Sequence, residues 1–79
     1  MAKVTVLYFA SLRDAAGVAS ETVETGGDLR ALYDAQRERH GFVLPVERLR
    51  VAVDGAFARW TDDVRDGSEI AFIPPVSGG

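Results

Sequence analysis

Cysteine is absent from the 79 residues. That excludes a disulfide framework, a thiolate zinc site and a cysteine nucleophile. Histidine occurs once, at His40, too few for a two-histidine metal site or a conventional catalytic triad. Positive charge is in short supply: nine Lys and Arg stand against twelve Asp and Glu, for a formal net charge of −3. Nucleic-acid binders show a basic patch or stripe, so no nucleic-acid partner is expected. No apolar run approaches the ~20 residues that span a bilayer, and Met1-Ala2-Lys3 leads straight into strand-like alternation, not into a signal peptide. No membrane partner and a cytoplasmic location are the resulting expectations. Internal repeats, low-complexity stretches and linkers are missing as well.

What is present is an ordinary globular composition, 47% apolar and 27% charged. A chain of this length makes one small domain that buries roughly 60% of its unfolded surface. Val4-Thr5-Val6-Leu7-Tyr8-Phe9 is rich in β-branched and aromatic residues and reads as a strand, with Val4, Val6 and Tyr8 toward the core. Residues 10–18 read as a loop or single helical turn pinned by Leu12 and ended by Gly17. Ser20 to Glu24 is a second short strand, a hairpin partner for the first. Gly26-Gly27 breaks it, and Asp28 suits the cap of a helix whose apolar stripe is Leu29, Leu32, Tyr33 and Gln36. Arg37, Arg39 and His40 occupy the favourable last turn, and Gly41 ends the helix.

Beyond a connector marked by Pro45, Leu49 to Asp54 alternates with Leu49, Val51 and Val53 inward. Asp54-Gly55 is a hairpin-turn signal, followed by a possible short strand at Ala56 to Ala58. Glu69 to Ile73 is the last strand, ended by Pro74-Pro75, which cannot donate to a ladder. Hairpin, helix and returning strands describe an α+β domain: a mixed sheet with one main helix packed across one face, the layout of the ubiquitin-like β-grasp fold. The division is a β-grasp domain over residues 1–73 and an extended, flexible C-terminal tail over 74–79.

That ending, Pro74-Pro75-Val76-Ser77-Gly78-Gly79, has a physical logic. Two prolines favour extended backbone, and two glycines remove every Cβ from the tip. Six extended residues reach roughly 20 Å, enough to thread a partner's active site while the domain stays outside. The expectation is that Gly79 is the working terminus.

The sequence resembles the small, sulfur-carrying subunit of molybdopterin synthase within the wider MoaD/ThiS sulfur-carrier family. The resemblance covers essentially the whole chain. It rests on Val6-Leu7-Tyr8-Phe9-Ala10 with Leu12-Arg13, on Val51-Ala52-Val53-Asp54, and on Asp66-Gly67-Ser68-Glu69-Ile70-Ala71 running into the PPVSGG ending. Asp54 departs from the family, which often has Asn there. The resemblance implies that Gly79 is adenylated by an ATP-dependent activating enzyme of the ubiquitin-activating type. Sulfur from a sulfurtransferase persulfide then displaces AMP and leaves a thiocarboxylate. An ordinary terminal carboxylate, with a pKa of about 3.5, is ionised and a poor electrophile, which is why activation is needed. Pro74, Pro75, Val76, Ser77 and Gly78 would carry the tip into the large synthase subunit, where the sulfur builds the dithiolene of molybdopterin. This chain would then be a non-catalytic, sulfur-donating subunit with no bound cofactor or metal, ATP being used by the activating enzyme. Lacking cysteine, it cannot carry sulfur as a side-chain persulfide.

A carrier must be recognised. The alternation that sends Ile70 and Phe72 inward sends Ala71 and Ile73 outward, and by the same phase Leu7, Phe9 and Ala52 lie away from the helix. Leu7, Phe9, Ala52, Ala71 and Ile73 are therefore the expected partner-binding face, an exposed apolar patch continuous with the tail. Other signals read as structural: the acidic run Asp62, Asp63, Asp66 and Glu69 matches no calcium loop, His40 is explained by its helix end, and Trp60 by packing. Other readings are a sulfur carrier for thiamin, cysteine or tRNA thiolation, a ubiquitin-like protein modifier, and an inert interaction domain.

Overall fold

The computed structural model describes residues 1–75. Five strands form one mixed sheet: β1 (Ala2–Tyr8), β2 (Ser20–Thr25), β3 (Arg50–Val53), β4 (Ala56–Ala58) and β5 (Glu69–Ile73). Their order is β2-β1-β5-β3-β4. The central pair β1 and β5 is parallel, and the other three pairings are antiparallel. This is the β-grasp arrangement, with α2 (Leu29–His40) across one face.

Period decides what is buried. Val4, Val6 and Tyr8 of β1 and Ile70 and Phe72 of β5 are all at most 2% exposed. They meet Leu29, Leu32 and Tyr33 of α2 in a single core that also takes in Leu12, Val23, Phe42, Val46, Leu49 and Val51. Each such large apolar side chain stabilises the fold by about 1.5–3 kcal/mol through removal from water. Tyr33 and Phe72 meet edge to face with centroids 5.1 Å apart, and Trp60 stacks on Phe72 at 5.9 Å. Trp60 is thus a packing residue at the rim of the core.

The start of α2 is held twice over. Leu29 N–H donates to the Asp62 carbonyl and Arg30 N–H to the Trp60 carbonyl, each at 3.0 Å. The Asp28 side chain accepts from Ala31 N–H at 2.9 Å. Replacing Asp28 by Ala therefore orphans one donor only, and is expected to cost about 1 kcal/mol, measured by urea unfolding. At the other end Gly41 adopts φ 74°, closing the helix with its N–H on the Arg37 carbonyl. Asp54 and Gly55, at φ 50° and 88°, form the tight turn between β3 and β4. Asp54 Oδ1 also accepts from Glu69 N–H at 2.8 Å, which ties that turn to the start of β5. The acidic run is similarly engaged: Asp66 accepts from Lys3 N–H at 2.7 Å and Asp62 from Arg59 N–H at 3.0 Å.

Three elements differ from the sequence expectation. Residues Ala10–Ala16 form a two-turn helix, α1, where a loop or single turn was expected; Gly17 caps it as anticipated. The connector contains a 3₁₀ turn at Val46–Arg48, so Leu49 precedes β3 and does not belong to it. Helix α1 has one buried anchor, Leu12, too little periodicity to separate two turns from one.

Candidate functional site

The outer face of the sheet, opposite α2, is organised in rows by the register. Leu7 lies beside Ala71, Ala71 beside Ala52, and Ala52 beside Phe57. These four residues form an apolar row across β1, β5, β3 and β4. One step toward the end of β5, Ile73 sits beside Arg50; one step back, Glu69 sits beside Thr5. Side chains in adjacent strands are close enough to make a continuous surface.

Leu7, Phe9, Ala52, Ala71 and Ile73 all line one hollow of about 300 Å³, together with Gly55, Phe57 and Glu69. The structure thus brings all five residues of the expected face together, but not as a fully exposed patch. Ala52, on the inner strand β3, is buried, and Leu7, Ala71 and Ile73 are half-buried. Phe9 is 44% exposed there, a high value for a phenylalanine. It continues the extended backbone of β1 and is the cap residue of α1. The next residue, Ala10, turns the chain at φ 51°, a left-handed conformation that costs a non-glycine residue about 1–2 kcal/mol.

The expectation did not include Phe57, which is 68% exposed. Three residues, Ala56-Phe57-Ala58, are too few to set a phase by themselves. Only the pairing of Phe57 with Ala52 puts the ring on this face.

Ile73 is the last residue of β5, so the hollow lies directly at the start of the chain's ending. Pro74 is buried and Pro75 is exposed. Val76, Ser77, Gly78 and Gly79, named above as tail residues and as the site of modification, lie outside the described residues.

A second polar constellation lies on the opposite side of the sheet. Gln36 Nε2 donates to the Tyr8 hydroxyl at 2.8 Å, and that hydroxyl donates to Glu21 Oε2 at 2.9 Å. His40 Nε2 is 2.6 Å from the same oxygen, and Arg39 is 2.9 Å from Glu21 Oε1. An ionised carboxylate only accepts, so His40 carries a proton on Nε2. Burial by itself would raise the Glu21 carboxyl. Hydrogen bonds from Tyr8 and His40, with the charges of Arg39 and His40, outweigh it and hold the group below the usual carboxylate range. Burial pushes the Tyr8 hydroxyl well above its ordinary value, opposed by the Gln36 hydrogen bond and reinforced by Glu21.

Every member of this group has a partner within the fold, so it serves as a part-buried strut between β1, β2 and α2. His40 is therefore more than the end of a helix. The available sequence signal was Glu21, which shares the inward phase of Val23 and Thr25 in β2; an inward carboxylate calls for partners. Because its folded pKa is depressed, Glu21 contributes stability that is present above its unfolded pKa and lost as pH falls through the folded value. Glu21→Gln is expected to destabilise the protein by about 1–2 kcal/mol at neutral pH. In thermal unfolding between pH 7 and pH 3 (about the range over which carboxylates titrate), the gap from wild type should close at the acid end.

Among the described residues, no group of three or more His, Asp or Glu side chains is placed to hold a metal ion. No helix among them is long and apolar enough to cross a membrane.

Comparison with known proteins places this arrangement. The ThiS family profile matches residues 6–79. The molybdopterin synthase sulfur carrier subunit of Mycobacterium tuberculosis is 34% identical to the chain, with all of both chains covered. Among solved structures, a Pyrococcus furiosus protein assigned as subunit 1 of a molybdopterin converting factor is 30% identical. It superposes with a TM-score of 0.82, covering 96% of this chain and 100% of its own. The small archaeal modifier protein 1 of Haloferax volcanii is 25% identical with a TM-score of 0.80, over 96% of this chain and 100% of its own.

Proposed function

The chain belongs to the ThiS family, and on that premise we propose that it is the sulfur carrier of a molybdopterin synthase, delivering sulfur as a thiocarboxylate at Gly79. The observation that carries this reading is one continuous run of chain. The family match extends through Gly79, and the apolar hollow that would seat a partner ends at Ile73, immediately before the PPVSGG ending.

In this reading a carboxylate oxygen of Gly79 attacks the α-phosphorus of ATP in a ubiquitin-activating-type adenylyltransferase, expelling pyrophosphate. The terminal sulfur of a sulfurtransferase persulfide attacks the resulting acyl carbon and AMP leaves, giving an acyl disulfide. A second thiol of the sulfur-donating system then cleaves the S–S bond, releasing the thiocarboxylate and closing a disulfide on the donor. The thiocarboxylate is then carried into the large synthase subunit, and its sulfur is transferred to the pterin precursor. Two rounds supply the two sulfurs of the dithiolene. Leu7, Phe9, Ala52, Ala71 and Ile73, joined by Phe57, form the docking face. Pro74, Pro75, Val76, Ser77 and Gly78 form the leader that carries Gly79 inward. The chain contributes the transferred atom and the address; acid–base groups come from the partners.

The test is to charge the protein with heavy-isotope sulfur and mix it with the purified large subunit and the cyclic pyranopterin precursor. Appearance of the label in the dithiolene is the expected result. A charged protein that delivers label to a thiazole or tRNA acceptor but not to the pterin would overturn the assignment to molybdopterin synthesis. The likeness to the archaeal modifier favours a second reading, conjugation to lysines of other proteins. Activation would be shared, and the products would be isopeptide-linked instead of thiocarboxylated.

A further inference from the structure

Phe57 is a wall shared by two grooves. On one side is the apolar hollow; on the other is a groove of about 350 Å³ lined by Arg48, Arg50, Phe57, Ile73, Pro74 and Pro75, with Glu47 and Leu49 at its edge. The first groove is almost wholly apolar, whereas the second carries two guanidinium groups at the point where the chain leaves the domain. Arg50 lies beside Ile73 in the ladder, and its guanidinium sits 5.4 Å from the centroid of the Phe57 ring. That contact holds Arg50 against the aromatic face and reduces the entropy lost when it later binds something.

These charges belong to a chain of net charge −3. The one carboxylate in the groove, Glu47, is drawn toward Arg30 at 3.8 Å. Among the described residues, neither Arg48 nor Arg50 has a carboxylate within ion-pair distance, which is also true of Arg13, Arg37, Arg59 and Arg65. What sets these two apart is their place together in the groove beside Pro74 and Pro75. The single lysine, Lys3, is at the opposite end of the sheet, where Gly67 N–H donates to its carbonyl. Both cations at the exit are arginines, whose planar forks match carboxylates in two-point contact.

We propose that Arg48 and Arg50 form a docking site for acidic side chains on the large subunit that receives the tail, and that Phe57 joins this site to the apolar hollow. The inference rests on the carrier reading above. The apolar row supplies most of the contact energy, while the arginines steer the encounter and fix its direction, so that the tail points into the partner. Rim charges of this kind act mainly on the association rate and its salt dependence.

The experiment is stopped-flow association of the full chain with the purified large subunit at low and at high salt. Wild type, Arg48→Glu and the double variant Arg48→Glu/Arg50→Glu are compared, with thermal unfolding as the check on folding. For wild type the association rate constant should fall about tenfold or more as salt rises. The double variant should associate about tenfold more slowly at low salt, with a smaller change in dissociation and a difference that shrinks at high salt. Arg48→Glu alone leaves the Arg50–Phe57 contact in place and should give an intermediate rate. A salt-independent wild-type rate, or equal rates for wild type and the double variant, would overturn the proposal while leaving the carrier reading intact. Absence of any wild-type binding would overturn both.

Discussion

Removal of Gly79 is expected to abolish sulfur delivery while leaving the thermal midpoint unchanged. Among the described residues the buried apolar core runs from Val4 to Phe72, and a chain that keeps all of these is expected to keep its fold. In the proposed chemistry, however, the reacting carbon is the carbonyl of Gly79. A shortened chain presents the Gly78 carboxylate about 3.5 Å back along the thread. A misplacement of even ~1 Å can cost roughly a hundredfold in rate, so loss of at least that size is expected in thiocarboxylate formation, measured by intact mass. Unfolding curves that coincide with wild type would show that the loss is chemical. Retained sulfur delivery would show that Gly79 is not the site.

Ile73→Asp is expected to weaken binding of the large subunit by about 2–4 kcal/mol, roughly 30- to 1000-fold in Kd. Ile73 is half-buried, lines the hollow and adjoins Pro74. A partner seated there would enclose a carboxylate, and taking that charge out of water is the dominant cost. The fold should tolerate the change: the position ends β5 and faces away from the core, with Arg50 alongside to offer an exposed ion pair worth at most about 1 kcal/mol. Thr22→Asp supplies the control. It adds the same charge on β2, an edge strand separated from β5 by β1, and should leave the affinity near wild type. Calorimetric titration of both variants distinguishes the two; equal affinities would place the docking face elsewhere.

Much of this architecture is legible in the residues because burial obeys period. Val4, Val6 and Tyr8 alternate on β1, and Leu29, Leu32, Tyr33 and Gln36 recur along α2; both stripes are buried where they were expected. The same phase places Leu7, Phe9, Ala52, Ala71 and Ile73 on the other face. Their meeting in one hollow further requires β5 to lie between β1 and β3, a non-local pairing that follows from the β-grasp layout. Phe57 is not legible as part of this face because a three-residue strand carries no phase of its own. The residues of α1 allow a loop, a single turn or a two-turn helix because the one large apolar residue, Leu12, satisfies each. The Tyr8–Glu21–His40 strut joins residues 13 and 19 positions apart, and nothing local specifies that meeting. For Gly79 the warrant is the motif and the family match, not geometry.

The carrier reading stands or falls on the chemistry of one carbonyl. The direct measurement is the mass of the C-terminal peptide after incubation with the host's activating enzyme and sulfur donor, with and without ATP. Replacement of one oxygen by sulfur has nearly the same mass change as an oxidation; the one methionine, Met1, lies outside the C-terminal peptide, and fragmentation localises the change within it. An ATP-dependent exchange confined to Gly78-Gly79 is the predicted result. A C-terminal peptide that stays unmodified, while the same enzyme preparation charges another carrier, would contradict the account.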